Sequence, residues 1–312
     1  MADLMPRDGI FPSDGAILIT GSSGFVGRRL VRRLRASGYR VYETARFDVE
    51  EDEDRLHFDL FDKQSILRAF YQAKPAAVIH LAAQSSVSGS TFSPLAAWET
   101  NVGGAMNICS AALEMAVAPA MMFVSSTEVY GSAFNRGVAT ELSSPKPMNP
   151  YARSKLAAEQ IFLDAYPTYA SLVIARPANH SGAGQDNRFA LPSFAKQLRD
   201  GSDTIKVGNI GVCRDFLHVE DVIDAYVALL QKALKYERGA TFNISSGNSP
   251  TLRQLLERMI ELVGSEASIV VDPDRVRLSD IQKAFVDSRK LTAATGWSPK
   301  RSLDDLLREL LL

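Results

Sequence analysis

The sequence predicts an α/β fold built on a doubly wound parallel sheet, with a smaller, partly interleaved C-terminal lobe. Three observations carry this. Strand-like apolar runs alternate with helical runs six times before Arg176, joined by short connections. A glycine-rich turn links the first strand to the first helix. Beyond Arg176 the rhythm changes to longer loops, shorter strands and helices near 190–200, 219–234, 251–263 and 302–310. The expected organisation is a disordered leader over 1–15, a nucleotide-binding unit over 16–176, and a second lobe over 177–312 with some segments returning to the sheet.

Taken in order, Ala16–Thr20 reads as a short buried strand. Phe25, Val26, Leu30, Val31 and Leu34 then recur at helical spacing, and Gly38 is placed to end that helix. Its polar face is arginine-rich (Arg28, Arg29, Arg32, Arg33, Arg35), which reads as a solvated face. Strands follow at Tyr39–Thr44 and Leu56–Phe58, with the acidic stretch Asp48–Asp54 as an exposed loop. Asp62 is positioned to cap a helix to Ala73, and Ala76–Leu81 reads as a fourth strand. Ser93-Pro94 predicts one helix running to Met115, with Trp98 and Met106 packed inside. Met121–Ser125 is the fifth strand, Pro150 opens a helix to Tyr166, and Ser171–Ala175 is the sixth strand.

Composition narrows the class. The chain has 312 residues, 46% hydrophobic and 23% charged, as in ordinary globular proteins. Its 35 Lys plus Arg against 36 Asp plus Glu leave a formal charge of -1, so nothing global favours nucleic acid or an anionic membrane. No metal-ligand spacing appears around the two cysteines and four histidines, so no metal is expected. No apolar run is long enough to span a membrane, and the first fifteen residues lack a signal-peptide core; a cytoplasmic protein is expected.

Gly21-Ser22-Ser23-Gly24-Phe25-Val26-Gly27 lies between a strand and a helix, the context in which Gly-x-x-Gly-x-x-Gly binds a dinucleotide. Side chains there would block the pyrophosphate, and the helix N-terminus offers open N–H groups and a positive dipole end. An acid at the end of the second strand would grip a ribose diol, whereas an arginine suits a 2′-phosphate. Arg46 stands at that end and favours NADP(H); Glu43, inside the strand, keeps NAD(H) open. Asp59 follows the third strand and can accept from an adenine amino group or simply cap its loop.

Tyr151-Ala-Arg-Ser-Lys155 places a phenol and an ammonium four residues apart on one helical face. The nearby ammonium, the helix N-terminus and an oxidised nicotinamide are all expected to favour the phenolate, making Tyr151 a proton donor and acceptor near neutral pH. Ser126 lies at the C-terminal end of the fifth strand, the edge where doubly wound sheets hold ligands.

Together, the Gly21–Gly27 turn, His80-Leu-Ala-Ala-Gln84, Ser125-Ser-Thr-Glu-Val-Tyr-Gly131 and Tyr151-x-x-x-Lys155 resemble the extended short-chain dehydrogenase/reductases, which modify nucleotide sugars. The resemblance covers about residues 16 to 310 and implies a Rossmann sheet with a substrate lobe. It implies catalysis by Ser126, Tyr151 and Lys155, with Glu128 either a base or an orienting group. Cofactor contacts implied are Gly21, Ser23, Gly24, Phe25, Val26, Gly27, Arg46, Asp59, Leu60, Leu81, Ala82, Ala83, Tyr151 and Lys155. The runs Arg176–Gln185, Val207–Phe216 and Val271–Asp280 look like the GDP-sugar branch, which holds 4,6-dehydratases and 4-keto-6-deoxymannose reductases. Chain length and Asn179–Gln185 look more like the reductases, whose product is GDP-D-rhamnose for surface polysaccharide; Ala178 and Leu278 depart from the pattern. Asn179 and Arg214 would contact the diphosphate, Arg277 and Asp280 the nucleoside end, and Gln84 and Ser85 the substrate. Dehydratase or epimerase activity stays open beside reduction. The helices near 94–115 and 150–166 resemble the pair forming a four-helix homodimer contact in this family.

Overall fold

The computed structural model describes residues 15–46, 53–232, 235–276 and 281–312. All but the last residue of the expected leader over 1–15, most of the acidic stretch Asp48–Asp54, and Arg277, Leu278 and Asp280 lie outside the described residues. The chain divides into two compact units.

The first unit comprises the described residues to Val129 together with Asn149–Arg176 and Ile223–Phe242. Its sheet contains β1 (Ile17–Thr20), β2 (Val41–Ala45), β3 (Arg55–His57), β4 (Ala77–His80), β5 (Ala120–Val124), β6 (Leu172–Pro177) and β10 (Ala240–Ile244). The order is β10-β6-β5-β4-β1-β2-β3. Strands β1 to β6 pair in parallel, with Leu18 opposite both Tyr42 and Val78. The chain reverses its direction of travel between β1 and β4, the switch point at which this sheet type forms its ligand crevice. β1 and β4 are buried along their whole length, which is why they read as unbroken apolar runs.

Helix α1 (Phe25–Ala36) turns Gly27, Leu30, Val31 and Leu34 inward. Helix α2 (Lys63–Ala73) starts at Asp62, whose carboxylate accepts from Gln64 N at 2.9 Å, as its sequence predicts. Helix α6 (Pro150–Ala165) begins at its proline. Leu18, Val78, Met121 and Phe123 of the sheet pack with Ile66, Phe70, Ile108 and Phe162 of the helices.

The single helix expected after Ser93-Pro94 is broken. It consists of α4 (Pro94–Trp98), a π-helical turn (Glu99–Gly103) and α5 (Gly104–Leu113), and a short α3 (Val87–Phe92) precedes it. Ser93 makes no side-chain capping bond; Ser86 caps α3 instead, accepting from Gly89 N at 3.1 Å. Trp98 and Met106 are not core residues either: they are 39% and 55% exposed.

The second unit comprises Tyr130–Met148 and the described residues of Pro177–Val222 and Asn243–Leu312. It contains two small parallel sheets, β7 (Asn179–Ser181) with β9 (Phe216–His218) and β8 (Thr204–Val207) with β11 (Ser268–Val271). Leu191, Phe194, Leu255, Met259, Leu306 and Leu310 from α7 (Ala190–Arg199), α9 (Leu252–Val263) and α11 (Leu303–Leu311) form its main core. Gly131 has φ +49°, and a Cβ there would stand 1.9 Å from Lys146 O, so this turn needs glycine. No helix among the described residues is long and apolar enough to cross a membrane, and no group of side chains there forms a metal cluster.

Candidate active site

The glycine turn has the shape a pyrophosphate needs. Gly21 adopts φ +69°, and a Cβ there would lie 2.8 Å from Ala82 N, so the turn abuts the exit of β4. A Cβ on Gly27 would lie 2.2 Å from Gly21 O, so only glycine lets α1 pack this close. No side chain caps α1 and no acid stands in its first turn, so its leading N–H groups face an anion without an internal competitor. Ser23 and Gly24 are exposed, while Phe25 and Val26 are half-buried. Ser22 ties the turn to β2, donating to Thr44 O and accepting from Thr44 N, both at 3.0 Å.

Around this turn the other dinucleotide residues take their places. Arg46 is exposed just past β2. The Glu43 carboxylate is paired with Arg35 at 2.8 Å, so a ribose diol would have to compete with that ion pair. Asp59 Oδ1 accepts from Phe61 N at 3.0 Å, so its loop-capping role is real. Leu60 is buried, its carbonyl held by Asn107 Nδ2 at 2.7 Å. Leu81, Ala82 and Ala83 are half-buried beyond β4, where Thr20 Oγ1 accepts from Ala82 N at 3.1 Å. The residues present thus fit a nicotinamide dinucleotide: an open helix start, a side-chain-free turn and an exposed arginine at the ribose-reading end.

Ser126, Tyr151 and Lys155 are all buried and close together, at 8%, 8% and 3% exposure. Ser126 Oγ accepts from Glu128 N at 3.2 Å, which leaves its own proton free to be donated on the side of the Tyr151 phenol. Lys155 Nζ donates to Val124 O at 2.6 Å and rests 4.8 Å from the Phe123 ring centroid.

The electrostatics correct one expectation. The ammonium does not make Tyr151 acidic in the chain itself. Burial pushes the phenol up to about 12; the Ser126 hydrogen bond opposes this and the Glu128 charge adds to it. Lys155 is itself drawn down to about 8 by burial, against the pull of Glu159. Loss of hydration outweighs the single neighbouring charge. At neutral pH the site therefore holds a neutral phenol, a proton donor, beside an ammonium.

Two residues that sequence reasoning passed over organise this group. Asn101, in the π-helical turn, accepts from Gln84 N at 2.9 Å and donates to Ser154 Oγ at 2.9 Å; Ser154 in turn donates to Tyr151 O at 2.9 Å. Its signal was visible: Thr100-Asn-Val-Gly-Gly104 is a run of poor helix formers within a helical stretch. Asn149 accepts from Ala152 N at 2.8 Å and donates to Glu128 Oε2 at 3.2 Å.

Gln84 is half-buried, its Oε1 accepting from Ser86 N at 3.0 Å, while Ser85 is exposed. In the second unit, Asn179 is half-buried on β7. Arg214 is 7% exposed and donates to Ile281 O at 2.6 Å and to Cys213 O at 2.9 Å. Its neighbour Asp215 faces the main chain, accepting from Ser246 N and Gly247 N at 3.0 and 2.9 Å.

Known proteins resemble this chain over most of its length. Residues 17–245 match the model of the NAD dependent epimerase/dehydratase family. A GDP-6-deoxy-D-mannose reductase of Pseudomonas aeruginosa is 34% identical over 302 residues, 95% of each chain. A GDP-6-deoxy-D-talose 4-dehydrogenase of Aggregatibacter actinomycetemcomitans is 29% identical over 90% of this chain and 91% of its own. Among solved structures, RMD from Pseudomonas aeruginosa complexed with NADPH superposes with a TM-score of 0.81 at 32% identity, covering 95% of this chain and 97% of that one. The glycine turn, the buried Ser126–Tyr151–Lys155 group and a match over most of the length agree: the chain belongs to the NAD dependent epimerase/dehydratase family.

Proposed function

We propose that this protein reduces the C4 ketone of GDP-4-keto-6-deoxy-D-mannose, giving GDP-D-rhamnose or its C4 epimer, with NADPH preferred and NADH possible. The observation that carries this reading is the buried group of Ser126, Tyr151 and, one turn on, Lys155, on the unit that carries the dinucleotide turn. The relatives named for a GDP-6-deoxy-mannose reductase and for an NADPH complex support the sugar and the cofactor.

When bound, NADPH supplies the hydride. The chain does the rest. The open start of α1 holds the pyrophosphate, and Arg46 reads the 2′-phosphate. Tyr151 gives its proton to the oxygen at C4 as negative charge develops there. Ser126 donates to the same oxygen, a fixed dipole aimed at that charge. Lys155 supplies positive charge and holds the nicotinamide ribose. Gln84, Ser85, Asn179 and Arg214 are proposed substrate contacts, the last two at the diphosphate. Arg277 and Asp280 are proposed for the nucleoside.

We further propose a cytoplasmic homodimer formed through the helices of 94–115 and 150–166. Leu95, Trp98, Met106 and Leu113 are exposed along the first of these segments, 74% for Leu95, and suit a second copy of the chain. Reduction would then feed surface-polysaccharide synthesis.

Purified protein supplied with GDP-4-keto-6-deoxymannose should oxidise NADPH one for one with sugar reduced. No oxidation with any GDP-linked keto sugar would remove the reading. The rival reading, a 4,6-dehydratase, is favoured by Glu128 alone; it predicts a keto sugar from GDP-mannose and NADP with no net change in cofactor.

A further inference from the structure

Asn149 stands at the start of the helix that carries Tyr151. Its Oδ1 makes the ordinary cap bond to Ala152 N at 2.8 Å. Its Nδ2 is turned the other way and donates to Glu128 Oε2 at 3.2 Å. Aspartate would cap the helix equally well but has no donor, and in serine or threonine one short hydroxyl would have to make both bonds, whereas asparagine has a separate donating arm. Glu128 is tied at its other end too, because its main-chain N–H donates to Ser126 Oγ at 3.2 Å. One amide therefore joins the two segments that bring Ser126 and Tyr151 together, and it fixes a carboxylate beside them.

We infer that Asn149 and Glu128 are a positioning pair: their bond ties the segment of Ser126 to the helix of Tyr151 and fixes a carboxylate beside the phenol that donates to the sugar oxygen. The inference rests on the reductase reading. In it Glu128 moves no proton; it acts through the phenol. The electrostatics run the same way, since the Glu128 charge raises Tyr151 further above its ordinary value after burial has done most of the lifting.

The other ionisable groups near the phenol do not substitute for Glu128. Lys155, one turn along α6, carries the opposite sign. Tyr226 of α8 (Val219–Gln231) couples to Tyr151 but is a neutral phenol itself, raised by burial. Helix α3, whose Ser90 Oγ accepts from Tyr151 N at 3.1 Å, has no ionisable side chain in Val87–Phe92. Glu99, on the π-helical turn, is exposed to water.

The test compares wild type, Glu128→Gln and Asn149→Ser, each with and without Tyr151→Phe. Asn149→Ser keeps a capping oxygen and loses the separate amide arm that reaches Glu128; Glu128→Gln keeps the shape and loses the charge. The readout is the ultraviolet absorbance of Tyr151 phenolate in the NADP-bound protein at about pH 10, obtained by subtracting the Tyr151→Phe partner. While the pH stays below it, each unit by which the phenol pKa falls gives about tenfold more phenolate. Glu128→Gln should show at least about a threefold rise, and Asn149→Ser a smaller one. With the keto sugar, Asn149→Ser should lower kcat by about tenfold through misplacement and leave KM nearly unchanged. Unchanged phenolate in Glu128→Gln would overturn the inference. So would loss of reduction in Glu128→Gln as deep as in Tyr151→Phe, which would make Glu128 a proton-transfer group. Should Asn149→Ser fail to fold, Glu128→Gln decides alone. The absorbance needs no turnover, so it remains informative if the reductase reading itself fails.

Discussion

Two helices start at the same edge of the sheet, and they start in opposite ways. At α1 the cap residue is Gly24, no side chain bonds the first turn, and the leading N–H groups are left to a ligand. At α6 the cap is Asn149, which closes the first turn internally and adds a bond to Glu128. The same feature, a helix start with unsatisfied N–H groups and a positive dipole end, becomes an anion cradle in one place and, with Pro150 removing one donor, a rigid mount for a phenol in the other. What differs is whether side chains satisfy the turn: at α6 Asn149 and Ser90 do so, at α1 none does. Binding and chemistry should therefore be separable by mutation.

The deepest break should come at the α6 mount. Tyr151→Phe removes the proton donor and should lower kcat by about 10³-fold with NADPH affinity changed less than about twofold, checked by fluorescence titration beside steady-state kinetics. The mirror image is Gly27→Ala at the α1 cradle. The added Cβ would stand 2.2 Å from Gly21 O and push helix and turn apart. NADPH affinity should fall by about 100-fold, while the α6 group keeps its geometry.

Lys155 separates rate from stability by pH. Its ammonium is drawn from 10.5 to about 8 in the folded chain. As pH rises through about 8 the charge is lost and reduction should slow, by about tenfold per unit well above it. Stability moves the other way. Between about 8 and 10.5 the unfolded chain binds the proton and the folded chain does not, so unfolding free energy rises, by up to roughly 3 kcal/mol. Denaturant titrations of wild type against Lys155→Met at pH values across that window read this difference directly.

Smaller effects sharpen the contrast further. Arg46→Ala should cut the preference for NADPH over NADH by about tenfold, measured as the ratio of kcat/KM values, without touching the phenol. Asn149→Ala should cost about 1 kcal/mol of stability from the lost cap, read as a lower Tm, while NADPH affinity holds.

Much of this was legible in the residues because local rules and tertiary structure agree. The glycine turn, Asp62 as a cap and Pro150 at a helix start all name their own positions. The apolar runs of β1, β4 and β5 gave the sheet for the same reason. The misses arise where tertiary contacts decide. The π-helical turn exists because Asn101 leaves the helical ladder's demands to reach Gln84 and Ser154, which no periodicity encodes. Trp98 and Met106 sit at core spacing but face outward, since spacing cannot say which face is covered. The sign of the Tyr151 shift was missed because a sequence shows the neighbouring ammonium and not the burial that overrides it. In the second unit, Arg214 reads as a phosphate ligand, yet it also supports the Ile281 carbonyl from 67 residues away.

Deuterium transfer decides the matter. Wild-type protein given NADPH deuterated on the transferred position and GDP-4-keto-6-deoxymannose should place one deuteron on C4 of the product in a single turnover, and Tyr151→Phe, still binding NADPH, should place almost none. A wild-type product with no deuterium at C4, or full transfer by Tyr151→Phe at the wild-type rate, would contradict the assignment of this site.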